Sequence, residues 1–464
     1  MSIPVENSIA GTYMAAKPVN ASRLFVASCL ALLVTSLTFA LRAKIEGVFH
    51  DGYGLSREEI GWAFGPAFWG FAVATFVGGA ILDQVKTRNV LRIAFVCHLV
   101  GLVVLLFAKD KTLLFAANVF IGFANGSVEA ACNPLVTTLF PNDKTKMLNR
   151  FHVWFPGGIV IGGVLSWLLM SQLNLPWQAL AAVLFVPLAL YGWLFFGETI
   201  PETERVTSGV SYKDMFRHVG APVSIIALVG YMIFATSTSV AVDFNATSTW
   251  IVLGLVLVAI AVESLLINKT SLLFPFIMFC MFLTASTELG TNQFTGALLD
   301  KTGIDPMIIL VVVTGIMALG RYFAGPLVHK LSPVGVLLAS AVVSAVGLYL
   351  YSTVSGPGST LIAAIVFAVG VCYFWPTMLG FVSEYTPKTG ALGLSIMGGA
   401  GMVATSFVLP IMGHSIDTAG PQQTLRLMTV LPLILIAAFA LLALYLRNRR
   451  VGTETLSHST ARGE

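Results

Sequence analysis

Long apolar runs separated by short polar breaks make up most of this chain. They fall at about 23–49, 57–85, 88–108, 111–140, 145–172, 176–197, 220–241 and 249–268, then at about 270–300, 305–329, 332–353, 358–384, 388–416 and 423–447. A helix needs about 20 apolar residues to cross the hydrocarbon core, and each of these runs reaches that length. Several are longer, so they tilt or project beyond the bilayer. The pattern predicts an all-α membrane protein with about 14 transmembrane helices, spans 1 to 14 in chain order.

Composition agrees. Of 464 residues, 56% are hydrophobic and 10% charged. Soluble globular proteins carry about 25% charged residues, so these few cannot cover a water-soluble body of this size. The stretch Met1–Ala21 is polar and lacks the apolar core of a cleaved signal peptide.

Basic residues orient the spans. One set of breaks holds Lys86, Arg88 and Arg92, then Lys144, Lys146 and Arg150, then Arg205, Lys213 and Arg217, and later Lys330, Lys388 and the Arg447–Arg450 tail. The alternate breaks are poorer in them, and Lys109 and Lys111 are offset by Asp110. The positive-inside rule then predicts both termini in the cytoplasm of a multi-pass protein of the inner or plasma membrane. The net charge of +4 is modest and lies in these loops, which points to orientation and not to nucleic acid.

The chain repeats itself. Gly79-Ala-Ile-Leu-Asp83 closes span 2, and Gly325-Pro-Leu-Val-His329-Lys330 closes span 10, 246 positions later. Asn133-Pro134 in span 4 and Trp375-Pro376 in span 12 are 242 apart; Gly157-Gly158 in span 5 and Gly398-Gly399 in span 13 are 241 apart. One approximate offset fits three pairs. It predicts two parallel six-helix bundles with a two-helix insertion, the parallel-repeat plan of major facilitator proteins. The expected organisation is a cytoplasmic tail at 1–22, an N-terminal bundle at 23–198, a linker with two extra spans at 199–268, a C-terminal bundle at 269–448 and a tail at 449–464. The insertion reads as a lateral pair facing lipid, with Glu263 its only acid well inside a span.

The break after span 2 reads Gly79-x-x-x-Asp83-x-x-Lys86-x-Arg88. This resembles the major facilitator loop signature, with Lys86 in place of the usual second glycine. Gly79 permits close helix approach. Asp83 and Arg88 are expected to form an ion-pair latch at the inner gate.

Spans 4 and 5 carry the strongest local signal. Asn125, Glu129 and Asn133 are spaced i, i+4, i+8 and line one helix face. Glu129 lies roughly 16 Å from the inner end at 1.5 Å per residue, near the bilayer midplane. Asn149, His152 and Pro156 form a second stripe on span 5. An intramembrane carboxylate is costly and usually has a function. Glu129 is expected to carry a proton or to accept hydrogen bonds from substrate hydroxyls; a permanent ion pair fastening helices is the structural alternative.

Glu129-x-x-x-Asn133-Pro134 followed by Leu148-Asn149 resembles the fucose-galactose-glucose–proton symporters, the fucose permease-like family. Glu288-Leu-Gly-Thr-Asn292-Gln293, Gly320-Arg321-x-x-x-Gly325, Trp375-Pro376-Thr377 and Gly398-Gly-Ala-Gly401 extend the resemblance to the second half. It implies uptake of a sugar driven by an inward proton gradient, with Glu129 as a proton or sugar site. Two departures stand out. The family's aspartate in span 1 falls at Ala43, beside Arg42, and its Gln and Asn in span 5 fall at His152 and Phe155.

Arg42 therefore has two readings besides snorkelling. It and Glu288 lie at similar depth, about 27 Å from the inner ends, so a pair between the halves is one. Binding of an anionic substrate by its fork is the other. His152 is read as a proton shuttle, a sugar ligand or a packing residue. Trp375 either stacks on a sugar ring or packs. Arg321 is expected to brace the cytoplasmic gate against Glu384, or to touch substrate.

Other classes fit poorly. The longest break, about 198–219, is short for a catalytic domain and holds no acid, His or metal cluster. The duplication favours a single-chain transporter over a pore built from several subunits. No Gly-x-x-x-x-Gly-Lys-Ser/Thr loop for ATP occurs. The five cysteines lie in apolar runs without metal-ligand spacing and read as small core residues. The sequence thus points to a secondary transporter without cofactor, acting as a monomer in the lipid bilayer. Proton-coupled sugar uptake is the first reading, and an organic-anion or other small-solute carrier using Arg42 is the second.

Overall fold

The computed structural model describes residues 18–237, 247–293 and 306–448. No strand occurs among the described residues. The helices are α1 (Ala21–Gly52), α2 (Glu59–Val85), α3 (Thr87–Leu106), α4 (Lys111–Leu139), α5 (Lys144–Gln172) and α6 (Trp177–Phe195). After the break come α7 (Pro222–Ser237) and α8 (Thr247–Val262). The second set is α9 (Leu273–Gly290), α10 (Pro306–Tyr322), α11 (Ala324–Tyr351), α12 (Pro357–Tyr385), α13 (Gly390–Ala419) and α14 (Pro421–Asn448). The architecture is two six-helix bundles, α1–α6 and α9–α14, with an inserted helix pair.

The duplication is written in the backbone as well. Lys86 adopts φ 70°, ψ 137° between α2 and α3. Ser332 adopts φ 62°, ψ 163° where α11 breaks. The two positions are 246 apart, the offset that separates Gly79 from Gly325. Each residue turns one helix into the next with a conformation that glycine adopts more cheaply.

Lipid is as apolar as the helices, so association depends on close packing of small residues. Gly122 and Gly126 of α4 press on the backbone of Pro66 and Phe71 in α2, and a Cβ at either would overlap it. Gly158 and Gly162 of α5 sit against Ser36 and Ala40 of α1. In the second bundle, Gly370 of α12 sits on the Ser344 backbone of α11.

The bundles meet at the end that holds Ala21 and Asn448. There Gly79 of α2 lies on Ser395 of α13, Gly399 of α13 on Phe76, and Gly380 of α12 on Thr145 of α5.

The inserted pair turns apolar side chains outward: Ile226, Leu255 and Val258 are exposed, as a lipid-facing pair requires. Glu263 lies within the apolar helix that runs on to Ile267. It follows α8 in a π-helical turn and accepts hydrogen bonds from the Val223 and Ser224 amides at 2.9 and 2.7 Å. It caps the free N–H groups that begin α7 and ties the two inserted helices together.

Candidate functional site

Three prolines open the middle of the bundles. Each lacks the N–H that would bond the carbonyl four residues earlier. Pro156 therefore frees the His152 carbonyl, and α5 is interrupted between Phe151 and Trp154. Pro376 frees the Cys372 carbonyl, and α12 is interrupted between Val371 and Phe374. Pro326, after Tyr322, accompanies the break at Phe323 that ends α10 just beyond Arg321.

Arg321 gathers these groups. Its Nη1 donates to the His152 carbonyl at 3.2 Å, and its Nε donates to the Cys372 carbonyl at 2.7 Å. Its Nη2 pairs with Glu288 Oε1 at 2.8 Å. Glu288 itself sits in a π-helical turn of α9, Ser286–Gly290, a feature common at functional sites. Arg321 is 1% exposed and Glu288 3%. The pair is desolvated, and the guanidinium binds the breaks in α5 and α12 and the π-helical turn of α9 at once.

A second chain starts on the other side of His152. The ring Nε2 meets Asn133 Oδ1 at 3.1 Å. Asn133 Nδ2 donates in turn to Glu129 Oε2. With Asn133 Oδ1 as the acceptor, His152 Nε2 carries the proton. Glu129 is 3% exposed and forms no ion pair at contact distance among the described residues. Residue 152 thus joins two buried carboxylates, Glu129 through its ring and Glu288 through its carbonyl and Arg321.

A model of the Major Facilitator Superfamily matches residues 24–320. The chain belongs to the Major Facilitator Superfamily. Among solved structures, the E. coli fucose:proton symporter FucP is similar at 14% identity, covering 90% of this chain and 98% of that one with a TM-score of 0.64. The human organic anion transporter MFSD10 is similar at 15% identity, covering 91% and 100% with a TM-score of 0.66. Likeness at these identities concerns the fold. A Bacillus subtilis (strain 168) protein named for niacin and nicotinamide transport, NiaP, is 20% identical over 205 residues, 44% of this chain. That match spans 50% of the length of NiaP.

Several expected pairings differ in this major facilitator protein. Arg42 does not pair with Glu288, because Arg321 from the same bundle already holds that carboxylate. Arg321 does not brace Glu384, since it lies a helix break deeper than the gate. Glu384 instead accepts from the Thr145 amide at 3.1 Å and the Thr145 hydroxyl at 2.5 Å, capping α5 across the bundle boundary. Asp83 does not latch to Arg88. It binds Arg205 and Thr203 of the linker, while Arg88 donates to the Glu198 carbonyl at 2.8 Å.

Asn125 leaves the Glu129 face despite its spacing. Its Oδ1 meets His98 Nε2 at 2.8 Å, and its Nδ2 donates to Thr38 at 3.1 Å. His98 Nδ1 meets the Tyr191 hydroxyl at 3.1 Å. This buried network ties α1, α3, α4 and α6 together. Asn149 bonds the Thr145 carbonyl at 2.9 Å and the Thr377 hydroxyl at 3.3 Å, across the bundles. The Trp375 ring fills the space that a side chain at Gly401 would take, so it packs against α13. Asn292 is half-buried just beyond α9; the Gln293 side chain lies outside the described residues.

Sequence reasoning missed His98, Arg205, Lys144 and Glu204. His98 was visible as a lone histidine in an apolar run. The linker residues carried no signal beyond their charge. Lys144 Nζ binds both oxygens of Glu204 at 2.8 Å and the Ser383 carbonyl at 3.3 Å. The linker segment Thr203–Arg205 thereby touches α2 and α5, and Gly390 of α13 lies on the Arg205 side chain.

Proposed function

We propose that this chain is a proton-coupled secondary transporter of a small polar solute, working by alternating access. One observation carries the reading: two buried carboxylates in opposite bundles are joined through residue 152, with one cation between them. Arg321 balances Glu288. Glu129 is held by the neutral amide of Asn133, so a second negative charge there has no ion-pair partner in contact. A proton on Glu129 removes that charge from a desolvated site, whereas its loss leaves a costly one. Proton binding at Glu129 therefore alters the hydrogen bonds through Asn133 and His152 that bear on the Arg321 junction between bundles.

The gating residues fit the same scheme. With both termini cytoplasmic, as the basic residues predict, the contacts of Gly79, Asp83, Thr145 and Glu384 close the cytoplasmic side. The solute then enters from the opposite face. A sugar is the solute that the fucose-type resemblance implies, and Asn133, Asn149 and Thr377 are groups suited to hydroxyls. The packing of Trp375 on Gly401 weighs against its use as a sugar platform.

The test is uptake into proteoliposomes of labelled neutral sugars and small organic acids, with and without an inward proton gradient. The gradient is expected to stimulate accumulation. Glu129→Gln is expected to abolish the stimulation while solute exchange without a gradient persists. Uptake indifferent to the gradient, or a Glu129→Gln protein that still accumulates solute, would sink the reading.

A further inference from the structure

Arg42 lies on α1 one turn beyond Phe39, toward the face opposite the chain ends. It is 7% exposed. Its guanidinium carbon stands 4.4 Å from the Phe39 ring centre and 4.9 Å from that of Phe68 on α2. These ring faces hold a cation in place of water, but they accept none of its in-plane N–H bonds. Nη1 is buried without a hydrogen-bond partner. Arg42 takes part in none of the ion pairs of the described residues.

The contrast with the other buried bases is sharp. Among the described residues, the buried lysine and arginine side chains are Arg42, Lys144 and Arg321. Lys144 holds Glu204 and Arg321 holds Glu288. Arg42 alone keeps its charge without an acid. A desolvated guanidinium with an idle N–H is unfavourable until an anion supplies the acceptor.

We propose that Arg42 anchors the carboxylate of a small organic anion that this protein carries. This rests on the transport reading above and names its solute as a carboxylate in place of the sugar that the resemblance implies. The planar fork suits a carboxylate, and its buried Nη1 is the group without a partner. The surrounding wall is apolar: Phe39 packs edge-on with Phe68 at 5.8 Å and with Phe155 of α5 at 5.5 Å. One cation beside three aromatic rings selects a monocarboxylate with a compact apolar body over a neutral polyol.

The experiment measures binding to the purified full chain in lipid nanodiscs by calorimetry. The probes are benzoate, phenylacetate and lactate, each against its neutral amide, with glucose as the polyol. At least one acid is expected to bind at least about tenfold more tightly than its amide, the effect of one charged hydrogen bond. Arg42→Gln is expected to lose that preference at an unchanged melting temperature of the empty protein. Arg42→Lys keeps the charge but not the fork and is expected to fall between. If Arg42→Gln does not fold, the acid-against-amide contrast in the unaltered chain and the Arg42→Lys value still decide. Equal binding of acids and amides, binding of glucose alone, no binding of any acid, or full benzoate affinity in a folded Arg42→Gln protein overturns the proposal. The two readings fail separately. Acid binding that needs Arg42 but gives uptake blind to the proton gradient overturns the coupling alone, and gradient-driven uptake that ignores Arg42 overturns the anion anchor alone.

Discussion

Arg321 Nη2 reaches Glu288 Oε1 at 2.8 Å, and this pair sits where α5 of the other bundle offers a free carbonyl. The ion pair is therefore both a fastening within the second bundle and a contact surface for the first. Removing one partner of a buried pair leaves an uncompensated charge, at a cost of about 3–5 kcal/mol. Arg321→Met is expected to lower the melting temperature sharply. Arg321→Met combined with Glu288→Gln is expected to recover most of that stability but no transport. Thermal unfolding and uptake of the same two proteins check both halves of the statement.

Pro156 and Pro376 act on Arg321 by withholding N–H groups. In Pro156→Ala or Pro376→Ala the new amide can bond the carbonyl four residues back and straighten the helix. Arg321 then loses one charged hydrogen bond, worth about 1.5–3 kcal/mol. Uptake is expected to fall while stability holds or rises, because the helix gains what the arginine gives up. A loss of stability without loss of uptake would show that the prolines serve packing alone.

Asp83 and Arg205 join α2 to the linker. Either single change, Asp83→Asn or Arg205→Gln, is expected to loosen the closed side and to raise the reactivity of a cysteine placed at Thr137 toward a water-soluble maleimide applied from that side. Exchanging the pair, Asp83→Arg with Arg205→Asp, is expected to return reactivity toward the original value. Reactivity unchanged in both single variants would remove the linker from the gate.

Lys86 holds φ 70°, ψ 137°, a conformation that strains a residue with a Cβ by about 1–3 kcal/mol. Lys86→Gly is expected to stabilise the protein by about 1 kcal/mol after the added flexibility of the unfolded chain is counted. Uptake is expected to be unchanged. Denaturation in detergent, compared with Lys86→Ala, separates the backbone effect from loss of the charge.

Much of the architecture was legible in the order of residues. The apolar runs set the helices, since a backbone in lipid must satisfy its hydrogen bonds within each segment. The repeated Gly79 and Gly325 set the duplication, and the same offset reappears in the strained residues Lys86 and Ser332. Pro156 and Pro376 stand where α5 and α12 are interrupted, because a missing N–H is a local property, whereas α4 runs on through Pro134. Intramembrane Glu129, Glu288, Arg321 and Arg42 stood out because each is costly in an apolar run.

What only the tertiary structure decided was which of these groups meet. Depth counted along a helix put Arg42 level with Glu288, but it says nothing of the rotation about each helix axis or of which neighbour lies across. Arg321 of α10 reaches Glu288 on α9, which packs against α12 and α13, and Arg42 is left to two phenylalanine rings. Asn125 and Asn133 share a helix face by spacing, yet α3 brings His98 to the first and the break in α5 brings His152 to the second. Partner choice depends on the shapes of six or more helices at once, and a one-dimensional pattern records the cost of burying a charge but not the neighbour that will compensate it.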